Sequence, residues 1–137
     1  MNTVNSLRSF RAVVLVGILY LVAGLVAGAL AKSAGSSQVR VAWRLAAWVI
    51  SAAAFGMHIR YEHLRLRNSL RGTALHASLA AALGAFGLAV AAIIHAHRTH
   101  QHFPGVALAI WPIMTGLPAF VVALAAAAVL ARVWRHV

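Results

Sequence analysis

Four long apolar stretches alternate with short polar connections along the chain. The stretches cover about residues 12–31, 41–59, 73–94 and 106–131. A helix needs about 20 predominantly apolar residues to cross a hydrocarbon core, and each stretch is close to or above that length. Their apolar residues form continuous runs rather than a stripe of helical period, which is typical of helices that are apolar on all sides. The pattern therefore predicts four transmembrane helices.

Three short connections join the four stretches: KSAGSSQVR, RYEHLRLRNSLRG and HAHRTHQHFPG. Short connections between spanning helices make consecutive helices antiparallel neighbours. The first stretch is too long for a signal peptide and three more follow it, so we interpret it as a transmembrane helix. We expect an all-α membrane protein in which residues 1–137 form a single domain, an up-down-up-down bundle of four transmembrane helices.

Composition supports the same class of protein. Hydrophobic residues make up 63% of the 137 residues and charged residues only 9%, whereas a soluble domain carries about 25% charged residues. A soluble protein of this size could not cover its surface with so few polar groups. The chain has no Cys, which excludes disulfides, thiolate metal sites and thiol redox chemistry.

The formal net charge is +11, and the positions of the basic residues decide what it means. They lie at the ends of the apolar runs, as membrane topology requires, and not in a patch suited to nucleic acid. Eight lie on the side of the two termini and the middle connection: Arg8, Arg11, Arg60, Arg65, Arg67, Arg71, Arg132 and Arg135. Four lie on the other side: Lys32, Arg40, Arg44 and Arg98. The excess predicts cytoplasmic N- and C-termini.

The source membrane is suggested by residue usage. The chain is rich in Ala, and eleven of its twelve basic residues are Arg. Both preferences are typical of bacteria with GC-rich genomes. We therefore expect a multi-pass protein of a bacterial inner membrane.

Small residues mark one face of the first helix and one face of the third. In lipid, helices associate where small residues let their backbones approach. The first helix offers Gly17, Gly24, Gly28 and Ala31, and the third offers Ala77, Ala81, Gly84, Ala85 and Ala91. These faces either close the bundle on itself or form a homo-oligomer, and the sequence leaves both alternatives open.

The sole carboxylate, Glu62, lies between two histidines near the cytoplasmic ends of the second and third helices. His58 and Glu62 are one helical turn apart, and helical rise places His76 at nearly the same depth as His58. The geometry would permit a haem b ligated by His58 and His76, or a divalent metal bound by His58, Glu62 and His76. The alternatives are a structural ion pair of Glu62 with Arg65 and a proton relay.

A second candidate metal site follows the third helix. Four imidazoles occur within eight residues, at His95, His97, His100 and His102. Such a cluster can bind copper, nickel or zinc without thiolates, and imidazole can also respond to pH near neutrality. The alternative is a solvated polar connection, which the nearby Arg98 favours because its charge opposes a cation.

The segment WPIMTGLPAF could form a solute pathway. Pro118 removes a backbone donor and frees the carbonyl of Met114, while Thr115 and Gly116 lie between the two prolines. Interrupted transmembrane helices expose backbone groups that bind substrates or ions. The alternative is that the helix begins at Pro112, in the favoured first position, and only kinks at Pro118.

Four arginines surround the middle connection: Arg60, Arg65, Arg67 and Arg71. Basic residues beside a membrane attract anionic lipid, each by about 1 kcal/mol. We expect this connection to bind anionic phospholipid, with the bilayer as the principal partner.

No nucleophile–base pair is recognisable, and a single carboxylate cannot perform two-acid chemistry, so we expect no enzymatic activity. The sequence is interpreted as a transport or channel-type unit, or an accessory subunit, in a homo-oligomer or larger membrane complex. Without a carboxylate inside a span, coupled transport of protons or cations lacks its usual group, which favours anionic or neutral solutes. The alternative is a redox subunit that binds haem or metal through His58 and His76.

Overall fold

The computed structural model describes residues 3–100 and 105–133 and contains four long helices. They are α1 (Thr3–Ser33), α2 (Ser37–Arg60), α3 (Leu70–Arg98) and α4 (Ala107–Val133). Each contains one of the four apolar stretches almost entirely, and each is long and apolar enough to cross a membrane. The predictions of an all-α fold and of four helices of spanning length are confirmed.

Serine side chains cap the N-termini of two helices. Ser36 precedes α2, and its Oγ accepts a hydrogen bond from the Val39 amide at 3.3 Å. Ser69 precedes α3 and accepts one from the Gly72 amide at 3.1 Å. Such N-caps satisfy backbone donors that have no partner inside the helix.

The second helix does not stop at residue 59, and it continues as a π-helix over Tyr61–Arg65. The Leu66 amide donates to the Tyr61 carbonyl at 3.2 Å, five residues back rather than four. The chain then reverses at Arg67, whose φ of 52° lies in the left-handed region. Glu62 therefore belongs to a helical segment and not to an irregular connection.

Helix α1 packs against both α2 and α3, and α3 packs most extensively against α4. Helix α2 reaches α3 and α4 mainly near its C-terminal end, where Ile59 joins Ala74 and Ala77 of α3 and Ala123 and Ala127 of α4 in a buried cluster. The first half of α2 has no such core. Helix α2 as a whole packs mainly against α1.

Glycines allow the close contact between α1 and α3. A Cβ added at Gly84 would lie 2.6 Å from the Cβ of Tyr20 and 3.2 Å from the Gly17 carbonyl oxygen. Gly24 packs in the same way against Leu88. These small residues therefore close the chain on itself, as one of the two alternatives predicted, whereas a Cβ at Gly28 would meet nothing within 4 Å.

Helix α4 begins at Ala107 and runs through both prolines without a break. The alternative in which the helix begins at Pro112 is wrong, because the helix begins five residues earlier, close to the start of the apolar stretch at residue 106. Gly116 packs against α3, where an added Cβ would lie 3.3 Å from the Cβ of Ala82. This contact joins α4 to its neighbour between the two prolines, each of which lacks a backbone donor.

Large apolar side chains point outward from the helices. Trp48 is 76% exposed, Met114 68% and Leu15 67%. A soluble monomer rarely exposes apolar patches of this extent, whereas a bilayer requires them. The outer surface is thus compatible with a small membrane protein.

Adding a methyl group at Gly84 tests the contact between α1 and α3. We expect Gly84→Ala to lower the free energy of unfolding in detergent by about 1–3 kcal/mol, because the new Cβ collides with Tyr20. Gly28→Ala is the matched control, and it should be neutral or stabilising by up to about 1 kcal/mol, because Ala favours a helix over Gly. Denaturant titration followed by circular dichroism measures both. Equal effects of the two substitutions would contradict this packing.

Candidate functional site

Glu62 is completely buried, with 0% of its side chain exposed. It is the only acidic residue of the chain. Removing a carboxylate from water costs several kcal/mol unless hydrogen bonds and charge replace the lost hydration. The surroundings of Glu62 must therefore supply these donors.

Three side chains hydrogen-bond to one oxygen of this carboxylate, Oε2. The Ser9 hydroxyl donates to it at 3.1 Å, the Asn68 side-chain amide donates to it as well, and Nδ1 of His76 lies 2.9 Å away. The Asn68 amide also donates to the Ser9 hydroxyl at 3.1 Å. We call Ser9, Glu62, Asn68 and His76 the Glu62 network.

The local fold explains how these residues meet. Ser9 lies on α1 and His76 lies two turns into α3, and both helices pack beside the end of α2. The π-helix changes the direction of the Glu62 side chain relative to a regular helix, a distortion that occurs frequently at functional sites. The reversal at Arg67 then brings Asn68 back onto Glu62. The backbone N–H of Asn68 also donates to the backbone carbonyl of Glu62 at 3.1 Å.

The expected ion pair between Glu62 and Arg65 is not found. Arg60, Arg65 and Arg67 are all exposed, and within the described part of the chain none of them forms an ion pair with Glu62. The carboxylate faces the interior while the guanidinium groups face outward, where they remain hydrated. The spacing along a regular helix suggested the pair, and the π-helix changes that spacing.

Glu62 and His76 can share a proton. With Nδ1 facing Oε2, one proton lies between the two atoms, bonded to either the imidazole or the carboxylate. Ser9 and Asn68 also donate to Oε2, whereas Oε1 is buried without a hydrogen-bond partner among the described residues. His76 is 30% exposed, so its imidazole connects the buried carboxylate with the surface.

Further buried polar atoms lie within the same part of the sequence. Glu62 Oε1, His58 Nε2, His63 Nδ1 and Thr73 Oγ1 have no hydrogen-bond partner within residues 3–100 and 105–133. A buried polar atom without a partner costs about 1–3 kcal/mol, so such atoms are rare and concentrate where a site performs a function. This end of the bundle therefore retains unused capacity for hydrogen bonding.

The structure brings part of the predicted metal or haem site together. Glu62 contacts His76 directly, and His58 is buried one turn before Glu62 and interacts electrostatically with both. No group of three or more His or acidic side chains in the described ranges is arranged to hold a metal ion. A metal at His58, Glu62 and His76 would require these side chains to move, and it stays a prediction.

The other predicted sites lie elsewhere. His95, His97 and His100 are exposed at the end of α3, and His102 lies outside the described residues. Thr115 and Pro118 are exposed on α4, whereas Gly116 faces α3. Metal binding and a solute pathway at these positions stay predictions. The four arginines near the middle connection, Arg60, Arg65, Arg67 and Arg71, are all exposed, as lipid contact would require.

Sequence reasoning missed Ser9 and Asn68. Ser9 is separated from Glu62 by 53 residues, and no local pattern relates two positions so far apart. Asn68 carried a weaker signal, because a side-chain amide just before a helix cap often folds back onto the preceding turn. Neither residue stands out without the packing of α1 against the end of α2.

Comparison with known protein families, curated proteins and solved structures finds no match to this chain. The physical arrangement of the Glu62 network is therefore the basis for any functional conclusion.

Replacing Glu62 tests whether the network stabilises the fold. We expect Glu62→Leu to lower the free energy of unfolding by about 3 kcal/mol, because it leaves the donors of Ser9, Asn68 and His76 without an acceptor. Glu62→Gln keeps one acceptor oxygen and should cost less. Arg65→Gln is the control, with an effect within about 0.5 kcal/mol, as for other exposed positions. If Arg65→Gln were as unstable as Glu62→Leu, the result would indicate an ion pair between Arg65 and Glu62 in the wild type and would contradict the structure.

Proposed function

We propose that this protein crosses a bacterial inner membrane four times, up-down-up-down, and acts as a non-enzymatic transport-type unit. Its termini and the turn at residues 66–69 face the cytoplasm, and Glu62 together with His76 binds the proton that drives or accompanies transport. The observation that carries this proposal is the complete burial of Glu62 with Nδ1 of His76 2.9 Å from its Oε2.

Surface chemistry supports insertion. The outward side chains of α1, α2 and α4 are largely apolar, and lipid is the environment in which such surfaces are stable. Eight Lys or Arg residues lie on the side of the termini and four on the other. This asymmetry favours cytoplasmic termini because basic residues are retained on that side.

The sequence favoured anionic or neutral solutes, whereas the burial of Glu62 favours transport coupled to protons or cations. A carboxylate in a solvated connection would not provide the buried proton- or cation-binding group that coupled transport uses. A carboxylate buried between spanning helices is by contrast expensive to maintain, and such residues mark ion sites and proton relays. The contact with His76 places a second side chain that can carry a proton 2.9 Å from this carboxylate.

Tight packing within the bundle leaves little room for a solute, which supports a pathway completed by a homo-oligomer or a larger membrane complex. The contacts of α3 with α1 and α4 are closed by small residues, as Gly84 against Tyr20 and Gly116 against Ala82 demonstrate. Little space for a solute is left between these helices. A pathway would therefore run along a surface of the bundle, where a second subunit could complete it.

One observation favours a second function, the redox or metal-binding subunit. Carboxylates commonly orient a metal-ligating imidazole through its other ring nitrogen, and Glu62 holds Nδ1 of His76 in this way. The Nε2 atom of buried His58 has no hydrogen-bond partner in the described residues. Both imidazoles could therefore bind a haem iron through Nε2 after local rearrangement.

Single cysteines test the orientation. Since the chain has no Cys, Gly35→Cys and Arg65→Cys each provide one label site at an exposed position. We expect a membrane-impermeant maleimide to label Gly35→Cys in intact spheroplasts and Arg65→Cys only after the membrane is opened. The reverse pattern would place the termini in the periplasm, and labelling of both sites in intact spheroplasts would contradict four spans.

Proton flux into liposomes tests the role of Glu62. With a potassium diffusion potential and an internal pH-sensitive dye, we expect the wild-type protein to acidify or alkalinise the lumen faster than empty liposomes do. Glu62→Gln should reduce this flux at least about tenfold, because a general acid–base group contributes about that factor or more. Arg132→Gln, at an exposed position far along α4, should retain it.

Two results would overturn the proton-binding role. One is wild-type flux no greater than that of empty liposomes, and the other is full flux in Glu62→Gln. An absorption spectrum of the purified protein distinguishes the second function. A Soret band that is lost in His58→Ala and His76→Ala would favour haem binding over proton transport.

A further inference from the structure

A groove of about 410 Å³ opens between α1 and α2 at the end of the bundle where the Glu62 network lies. Its volume falls within the range of ligand-binding pockets, about 300–1,000 Å³. Its apolar lining residues are Ala12, Leu15, Val16 and Leu19 on α1, and Ala54 and Met57 on α2. Their spacing of three and four residues places each set on one helix face. Two apolar faces thus form the walls of the groove.

The lining is basic and polar at one end. Arg8 and Arg11 lie one turn apart on α1 and are both exposed, and His58 and Tyr61 border the same groove from α2. Among the described residues that line it, no carboxylate is present. Glu62 itself is bonded to Ser9 of α1, the residue that follows Arg8. The two guanidinium groups therefore have no acidic partner in this groove.

The dimensions of the groove match one leaflet of a bilayer. From Arg8 to Leu19 the helical rise amounts to about 16 Å, which is close to half of a hydrocarbon core of about 30 Å. Along this distance the lining changes from two cations to aliphatic side chains only. An amphiphile with an anionic head and an acyl chain has the same order of groups.

We infer that this groove binds an anionic phospholipid. The phosphate lies between Arg8 and Arg11, and one acyl chain lies along Leu15, Val16 and Leu19. Arg is suited to this role because its planar guanidinium forms paired hydrogen bonds with phosphate oxygens. The inference rests on the insertion proposed above, but it does not depend on proton binding by Glu62.

His58 provides a second observation in favour of a ligand. Only 3% of His58 is exposed, it borders the groove, and its Nε2 has no hydrogen-bond partner within the described chain. Tyr61, 41% exposed, adds a phenol at the level of the cations. Aromatic residues with a polar tip favour the headgroup region. Imidazole and phenol are both able to donate to the ester or phosphate oxygens of a lipid.

Native mass spectrometry of the full chain, released from detergent with added lipid, tests this site. The probes are phosphatidylglycerol and phosphatidylcholine of identical acyl chains. We expect wild-type protein to retain phosphatidylglycerol preferentially, and the double variant Arg8→Gln/Arg11→Gln to bind it at least about tenfold more weakly, since each arginine near the surface attracts anionic lipid appreciably. The double variant Arg40→Gln/Arg44→Gln removes equal charge at the opposite end of α2, at exposed positions outside the groove, and should change binding less than about twofold.

A second variant tests the apolar half without a change of charge. Ala12→Phe should fill the groove and weaken phosphatidylglycerol binding, while its circular dichroism spectrum remains that of the wild type. Equal losses of phosphatidylglycerol binding in both double variants would indicate general electrostatic attraction and would contradict a specific site in this groove. Equal retention of both lipids by the wild type, or undiminished binding by Arg8→Gln/Arg11→Gln, would overturn the inference. Because lipid retention is measured without proton flux, failure here is distinguishable from failure of the transport role.

Discussion

A carboxylate removed from water must recover hydrogen bonds from the protein, and Glu62 recovers them from three separate parts of the chain. Ser9 belongs to α1, Asn68 to the reversal after the π-helix, and His76 to α3. Their convergence on Oε2 ties these segments together at one end of the bundle. The same contacts keep Glu62 away from the outward arginines, so the chain's sole acidic side chain is directed inward while Arg60, Arg65 and Arg67 are exposed.

Packing of small residues complements this polar contact. Lipid provides no hydrophobic drive for helix association, so backbones must approach closely to gain contact energy. Gly17 and Gly84 achieve this between α1 and α3, and Gly116 achieves it between α3 and α4. Helix α2 has a buried core only near Ile59. Its looser attachment leaves the groove along α1, which is the space available to a lipid.

The two proposed sites share the same end of α1. Arg8 borders the groove, and the next residue, Ser9, donates to Glu62. His58 borders the groove as well and interacts electrostatically with Glu62 and His76. A phosphate held at Arg8 would thus lie at the end of the groove that His58 also borders.

The sequence by itself determined four helices of spanning length, because an apolar run of about 20 residues leaves a chain no other way to satisfy its backbone in lipid. Helical rise also predicted that His58 and His76 lie at nearly one level, and the spacing of four residues predicted Glu62 on the same helix face as His58. The tertiary structure alone decided that Glu62 forms hydrogen bonds with Ser9 and Asn68 rather than an ion pair with Arg65. Side-chain direction depends on the π-helix and on contacts between residues more than 50 positions apart, and neither is encoded in local periodicity.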